Sequence, residues 1–223
     1  MTCILALDTA TEACSVALIY KQQVFSAYEV IPRGHAQRLL PMIDEVLAQA
    51  SCSLSDIEAI AFGRGPGAFT GVRIAIGVVQ GLAFALDIPV IPVSDLAVLA
   101  QRAYRETNAQ YIAAAIDARM DEVYWGCYGI KDGIAQLLGE ESVCAPEQAS
   151  IPMDASWYGA GTGWSSFAER LKVQPTQQLA DLLPAAEDLL QIAIAMYQQG
   201  QAVPVEQAQP VYLRDNVATP KRA

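Results

Sequence analysis

Histidine is almost absent from this chain of 223 residues, in which His35 is the only one. Zinc sites of the H-E-x-x-H type need two histidines, and Ser/His or Cys/His catalytic pairs need one that is free to act as a base. We therefore predict no catalytic residue, no bound metal and no cofactor. Because His35 opens a helical pattern, we expect it to cap that helix or to lie on its surface.

Basic side chains are also scarce. The chain has 14 Lys and Arg against 24 Asp and Glu, which gives a formal net charge of -10 and a pI near 4.5. Proteins that hold nucleic acid by themselves usually present a basic face that neutralises phosphates. The composition therefore argues against strong nucleic-acid binding by this chain alone.

Paired cysteine motifs and long apolar runs are missing as well. The five cysteines include no C-x-x-C spacing, so we interpret them as apolar fillers in a reducing compartment. The longest apolar stretch, Ile74 to Leu86, is too short to span a membrane. The first residues have no basic segment before their apolar run, which Asp8 interrupts. These features predict a cytoplasmic protein that does not enter a membrane.

Apolar periodicity divides the chain into two related units. Residues 1–107 alternate in the order βββαβαβα, with the first helix from about His35 to Ala50. After a polar break at Asn108 the strand pattern restarts and continues less completely through residues 108–223. We predict an α/β fold of two units, in which the second is reduced and its C-terminal tail returns to the first.

Two loops could approach an anion. The turn Asp8-Thr9-Ala10-Thr11-Glu12 joins the first two strands, and Gly63 to Gly71 joins a strand to a helix. Hydroxyls and glycine-rich backbone can surround a phosphate, but the same residues can also cap a turn and allow close packing. The glycine loop is neither a Walker A nor a G-x-G-x-x-G sequence, so the anion site is a weak prediction. Its candidate nucleotide contacts are Asp8, Thr9, Gly65 and Gly67.

Two helices carry more apolar surface than one contact with a sheet can cover. The apolar residues of helix 35–50 spread over a broad arc, and helix 72–86 is apolar all round except for Arg73 and Gln80. Gly77 and Gly81 lie one turn apart and would admit another helix at close range. We predict a partner surface here, although a wholly internal helix explains 72–86 equally well. The predicted contacts are Leu39, Met42, Ile43, Val46, Ile74 and Val78.

Three carboxylates and an arginine lie together in Asp117-Ala118-Arg119-Met120-Asp121-Glu122. Paired carboxylates could support acid–base chemistry. Since this segment joins two strands, a turn in which Arg119 bridges to a neighbouring acid is the favoured interpretation.

Four segments, taken together, resemble the TsaB family of the bacterial tRNA threonylcarbamoylation machinery. They are Ile4 to Glu12, Gly63 to Arg73, Asp117 to Tyr124 and Tyr212 to Arg214, and the likeness extends over nearly the whole chain. The resemblance implies an actin/hexokinase/Hsp70-like (ASKHA) fold with a reduced second domain. It also implies a non-catalytic scaffold that is required for threonylcarbamoylation of N6 of adenosine 37 in tRNAs reading ANN codons.

The same resemblance implies a set of partners. The chain would bind the transferase TsaD as a heterodimer, act together with the ATPase TsaE, and form a homodimer when TsaD is absent. It would meet tRNA only within that assembly.

The resemblance argues against catalysis by the chain itself. TsaD has a metal-binding histidine pair spaced H-x-x-x-H, and the matching positions here are Asp95 and Leu99. The resemblance therefore implies that the metal site is absent, and we reject the metallopeptidase or glycoprotease label that relatives have carried. A small-molecule kinase or ATPase of the same fold is the alternative. It would need a second phosphate-facing hairpin, which Asp117 to Val123 matches only loosely.

Overall fold

The computed structural model describes residues 2–214, in which strands and helices build two sheets. The strands are β1 (Ile4–Asp8), β2 (Ala13–Tyr20), β3 (Gln23–Val30), β4 (Ala59–Gly63), β5 (Val90–Val93), β6 (Tyr111–Asp117), β7 (Val123–Lys131), β8 (Ile134–Leu137), β9 (Ser142–Cys144), β10 (Trp157–Ala160) and β11 (Gln177–Leu179). The helices are α1 (His35–Ala50), α2 (Phe69–Leu86), α3 (Asp95–Thr107), α4 (Thr162–Ser166) and α5 (Ala186–Gln198). Met1 and residues 215–223, the outer ends of the two predicted units, lie outside the described residues.

The first sheet has the strand order β3-β2-β1-β4-β5. Strands β1 to β3 form an antiparallel meander, whereas β4 and β5 continue from β1 in parallel. Every residue of β1 and β4 is buried, as expected for central strands covered on both faces. Because β1 and β4 run parallel, the turn after Asp8 and the loop after Gly63 lie at the same edge of the sheet.

The second sheet repeats this arrangement. Its order is β8-β7-β6-β10-β11, again with an antiparallel meander followed by two parallel strands. The repeat confirms the predicted α/β fold of two βββαβαβα units, the ASKHA type. The second unit is reduced at the helix between its two parallel strands. In the first unit that helix, α2, has 18 residues between β4 and β5, whereas its counterpart α4 has only 5 between β10 and β11.

Some element boundaries differ from those that the sequence predicts. The apolar alternation near 134–142 predicts one strand, but the structure divides it into β8 and β9, because Gly139 adopts a φ of 92° and interrupts the extended backbone. The spacing near 164–172 predicts a helix, but only α4 is regular there. That spacing comes from Trp164, Phe167 and Leu171, which all pack into one core of the second unit.

Helices α3 and α5 each pack on the sheet of the other predicted unit. Leu96 and Leu99 of α3 join the core of the second sheet, while Leu189 and Leu190 of α5 join the core of the first. The chain after α5 also pairs Val203 with Val90 of β5. The division into residues 1–107 and 108–223 stays a prediction, because one helix of each unit packs on the sheet of the other.

Candidate functional site

The chain covers α2 on one side only. Val72, Ala75, Ile76, Val79 and Ala83 are buried, and this side faces β1 and β4. Along the opposite side runs a line of small and apolar residues that the described chain leaves exposed or covers only in part. This α2 stripe consists of Ile74, Gly77, Val78, Gly81 and Ala85. Beside it, the Phe84 side chain is 78% exposed.

The two glycines of the α2 stripe are not required by the chain's own packing. A Cβ added at Gly77 or Gly81 meets no atom within 4 Å. A glycine inside a helix nevertheless costs about 1 kcal/mol relative to alanine. Small residues spaced four apart let a second helix backbone approach closely. The α2 stripe is therefore suited to contact with a helix of another chain.

α2 is the one helix within residues 2–214 that is long and apolar enough to cross a membrane, judged by length and composition alone. It is longer than the apolar run in the sequence indicates, since it begins at Phe69. Its buried side packs on the first sheet, so it is a core helix of that unit.

The four predicted partner residues on α1 are buried inside the chain. Leu39, Met42, Ile43 and Val46 are at most 2% exposed and belong to the core of the first sheet. Strands β2 and β3 together with α2 accommodate the broad apolar arc of α1. The structure thus corrects the prediction that these four side chains lie on an accessible surface. The two predicted residues of α2, Ile74 and Val78, are half-buried and lie on the α2 stripe.

The turn after β1 packs directly against the glycine loop and the start of α2. Thr9 Oγ1 donates to the Gly71 carbonyl at 2.7 Å, and the Ala68 N–H donates to the Ala10 carbonyl at 2.7 Å. A Cβ on Gly67 would lie 2.4 Å from that same Ala10 oxygen. Close packing of the two loops therefore explains these glycines without an anion.

Gly71→Ala should destabilise the chain by about 3 kcal/mol, because its Cβ would lie 2.1 Å from the backbone oxygen of Thr9. Gly77→Ala in the same helix is the matched control, since its Cβ meets open space and alanine stabilises a helix interior by roughly 0.5–1 kcal/mol. Urea unfolding followed by tryptophan fluorescence measures both free energies. Equal stability of the two variants would mean that the Thr9 turn does not hold α2 as closely as described.

A pair of buried carboxyl groups lies beneath the two loops. Asp8 Oδ1 accepts the Ala10 N–H at 2.7 Å, and Asp95 Oδ2 accepts the Gly65 N–H at 2.5 Å. The other oxygen of each group, Asp8 Oδ2 and Asp95 Oδ1, is buried and has no hydrogen-bond partner in the described chain. Burial raises the pKa of Asp8 to about 6, and burial and the charge of Asp8 raise the pKa of Asp95 well above its ordinary value. The charged form of Asp95 is therefore disfavoured both by burial and by its acidic neighbour.

These contacts leave few free hydrogen-bond donors for a phosphate among the predicted nucleotide residues. Asp8 and Thr9 are buried and bonded within the chain. In the glycine loop, the Gly65 N–H is bonded to Asp95 and Pro66 has no N–H. The geometry therefore lends no support to a phosphate contact at Asp8, Thr9, Gly65 or Gly67.

A cleft of about 500 Å³ opens between the two sheets' loops. The glycine loop and the start of α2 line one side of the cleft, and the β6–β7 turn and α4 line the other. The segment from Val211 to Arg214 contacts both sides. Tyr212 stacks on Phe69 with 6.3 Å between ring centroids, and Arg214 Nε donates to Glu122 Oε2 at 3.0 Å. The C-terminal segment thus ties the two walls of the cleft together.

Comparison with known proteins identifies the family. A family model described as TsaD, tRNA N6-adenosine threonylcarbamoyltransferase, matches residues 23–221. The tRNA threonylcarbamoyladenosine biosynthesis protein TsaB of Escherichia coli K12 is 48% identical over 225 residues, covering 98% of this chain and 97% of that protein. The chain belongs to the TsaB family. The resemblance found in its sequence motifs is thereby confirmed.

Two further relatives extend the comparison. The TsaB protein of Haemophilus influenzae is 42% identical over 229 residues, covering 98% of this chain and 96% of that protein. Among solved structures, YeaZ from Pseudomonas aeruginosa is 62% identical and matches with a TM-score of 0.94, covering 96% of this chain and 100% of that one. The fold of this TsaB-family chain is thus that of a solved relative over nearly its full length.

The positions that match the TsaD histidine pair do not fit a metal in this TsaB-family chain. Asp95 is fully buried and accepts the Gly65 N–H, and Leu99 is fully buried in an apolar core. Within residues 2–214, no three His, Cys, Asp or Glu side chains are grouped so as to hold an ion. His35 begins α1 and is buried, which corrects the expectation of a surface histidine.

The acidic segment between β6 and β7 forms a turn, in line with the favoured interpretation. Three consecutive residues from Arg119 have positive φ angles, which reverses the chain. Each carboxylate has a different basic partner, so the acids are separated rather than paired for acid–base chemistry. The pairs are Asp117–Arg119, Asp121–Arg170 and Glu122–Arg214.

Proposed function

We propose that this TsaB-family chain is a non-catalytic scaffold that binds TsaD through the α2 stripe. In this role it supports threonylcarbamoylation of N6 of adenosine 37 in tRNAs that read ANN codons. The α2 stripe is exposed at Gly77, Gly81 and Ala85, and its two glycines are not needed by the chain's own packing; this is the observation that carries the proposal. Further support comes from the relatives, which are described as tRNA threonylcarbamoyladenosine biosynthesis proteins.

The α2 stripe also fits a second copy of this chain. From Ile74 to Ala85 it extends over roughly 16 Å of helix, and its members are apolar or lack a side chain. A two-fold homodimer joins the same patch on both subunits, and a small, apolar helix face needs no charge complementarity to do so. We therefore propose that the homodimer and the TsaD heterodimer compete for one surface.

The remaining partners follow from the charge and the family. With a net charge of -10, the chain is expected to meet tRNA only when TsaD supplies basic surface. TsaE joins the same assembly as its ATPase. The proposed location is the cytoplasm, where tRNA modification takes place and where the free cysteines stay reduced.

A small-molecule kinase or ATPase is the second candidate, and the cleft is the observation that favours it. Its volume of about 500 Å³ lies in the range of small-molecule pockets. Against it, the Thr9 hydroxyl and the N–H groups of Arg64, Gly65 and Ala68 are bonded within the chain. Steady ATP turnover by the purified chain alone, lost when Thr11 or Arg119 of the cleft is replaced, would favour this candidate over the scaffold.

Size-exclusion chromatography with light scattering tests the scaffold directly. We expect the chain alone to form a homodimer, and we expect added TsaD from the same organism to convert it into a heterodimer. A chain that stays monomeric and forms no complex with TsaD would contradict the proposal.

A further inference from the structure

Two cysteines that neither the fold nor the proposed function uses lie side by side. Cys3 directly precedes β1, Cys52 follows α1, and their Sγ atoms are 3.9 Å apart. Cys3 is buried, whereas Cys52 is half-buried. We propose that Cys3 and Cys52 are a reversible modification site, at which a low-molecular-weight disulfide converts the two thiols into an intramolecular disulfide.

The backbone holds Cys52 in place at the end of α1. The Ser51 N–H donates to the Ala48 carbonyl at 3.1 Å, and the Cys52 N–H donates to the Leu47 carbonyl at 3.0 Å. Ser51 has a φ of 50°, so these two bonds form the Schellman motif that closes a helix. The position of the Cys52 sulfur is therefore fixed by the helix end and varies only through its side-chain rotamer.

The backbone of Cys3 is equally constrained. Its N–H donates to the Glu58 carboxylate at 3.3 Å, and its carbonyl accepts the Glu58 N–H at 2.9 Å. A disulfide requires the two sulfurs to approach to about 2 Å. Since hydrogen bonds anchor both backbones and the sulfurs are already 3.9 Å apart, the proposal is that the two side chains rotate toward each other while β1 and α1 stay in place.

The environment decides which thiol reacts first. Burial raises the pKa of Cys3 to about 12, with smaller contributions from Cys52, Glu58 and Asp56. Burial also raises the pKa of Cys52, and Asp56 adds to this, but a hydrogen bond with Cys3 and the charge of Lys21 act in the opposite direction. The thiolate is the nucleophile in thiol–disulfide exchange. Cys52, which is nearer to solvent, is therefore the thiol that attacks the external disulfide.

The reaction balances in two exchange steps. The Cys52 thiolate attacks one sulfur of the small disulfide, its S–S bond breaks, and the departing thiolate takes up the proton that Cys52 lost. Cys3 then loses its proton, attacks the Cys52 sulfur and releases the second small thiol. The two cysteines are oxidised by two electrons in total, and the small disulfide is reduced to two thiols.

Oxidation should stiffen the first half of the chain. The cross-link closes a loop that contains β1, β2, β3 and α1. Such a loop restricts the unfolded chain, so the oxidised protein should unfold about 5 °C or more above the reduced one. The α2 stripe lies outside the loop, and partner binding is therefore expected to survive oxidation.

The test uses the full chain incubated with oxidised glutathione at pH 8.5, followed by trypsin digestion and mass spectrometry. We expect peptides 1–21 and 39–64 to be joined, with the loss of two hydrogens and a higher unfolding temperature that dithiothreitol reverses. Peptide 1–21 also contains Cys14, so fragmentation must locate the bond at Cys3. Cys14→Ser should retain the cross-link, whereas Cys52→Ser should lose it.

Two results would overturn the proposal. One is a glutathione adduct on Cys52 that persists in wild-type protein, which would mean that Cys3 cannot reach it. The other is a wild-type cross-link that fragmentation places at cysteines other than Cys3 and Cys52, which would assign the oxidation to another pair. Because both results are read on wild-type protein, neither depends on the folding of a variant.

Discussion

Gly81→Arg should abolish the complex with TsaD and leave the chain itself at least as stable as wild type. Position 81 is exposed, and a side chain there meets no atom of the described chain within 4 Å. Replacing a glycine in a helix interior removes a cost of about 1 kcal/mol. In a close helix–helix contact, however, the arginine would separate the backbones and bury an unpaired charge. We expect the affinity for TsaD to fall at least ~100-fold.

Titration calorimetry with TsaD and thermal unfolding of the chain alone measure the two effects. Gln191→Arg is the matched control, because it adds the same charge at an exposed position of α5. Val78→Glu is less suitable on its own, since Val78 is half-buried and packs against the core of the first sheet. Undiminished affinity of the Gly81→Arg variant would remove the α2 stripe from the interface.

The fold of this chain could be predicted because each unit repeats a strong local pattern. The strands of both units follow the same order, and α1 lies over His35 to Ala50 as its apolar spacing predicts. The pattern does not show how much surface each neighbour covers. The arc on α1 predicts a partly free surface, but β2, β3 and α2 surround it. For α2, the sequence supports a partner surface and a wholly internal helix equally well, and only the structure shows that one side stays exposed.

The buried carboxyl pair and the cysteine pair escaped prediction for the same reason. Asp95 follows a strand and opens a helix, where an acidic residue is ordinary. Only the parallel pairing of β1, β4 and β5 brings it to Asp8. Cys3 and Cys52 likewise meet because α1 returns across the first sheet. Contacts of this kind depend on tertiary packing, and a single sequence carries no local signal for them.

Asp95→Asn should stabilise the chain increasingly as the pH rises. In the wild type, Asp95 keeps its proton when folded but loses it near pH 4 when unfolded, because burial raises the pKa of the folded state. A group that binds its proton more tightly when folded stabilises most at low pH, and this stabilisation is lost as the pH rises. Each pH unit above 4 therefore costs the wild type about 1.4 kcal/mol through this group. Asparagine has no proton to lose.

The variant keeps the hydrogen bond that the structure shows for the Asp95 side chain. Its amide oxygen can accept the Gly65 N–H, as Asp95 Oδ2 does. As the pH rises from 5 to 7 we therefore expect Asp95→Asn to gain stability relative to wild type in urea unfolding, by at most about 1.4 kcal/mol for each pH unit.

Asp8→Asn measures the contribution of Asp8 to the pH dependence of stability separately from that of Asp95. The pKa of Asp8 is raised only to about 6, so the direct contribution of Asp8 to the gain of this variant should stop growing above that pH. Loss of the Asp8 charge also lowers the pKa of Asp95, which adds to the gain. Acidic side chains elsewhere, such as Glu29 beside Arg38, give stability the opposite pH dependence, but they are common to all three proteins and cancel in the difference. If the difference between Asp95→Asn and wild type stayed flat from pH 5 to pH 7, Asp95 would have to be ionised in the folded chain, and the carboxyl pair would not hold a proton there.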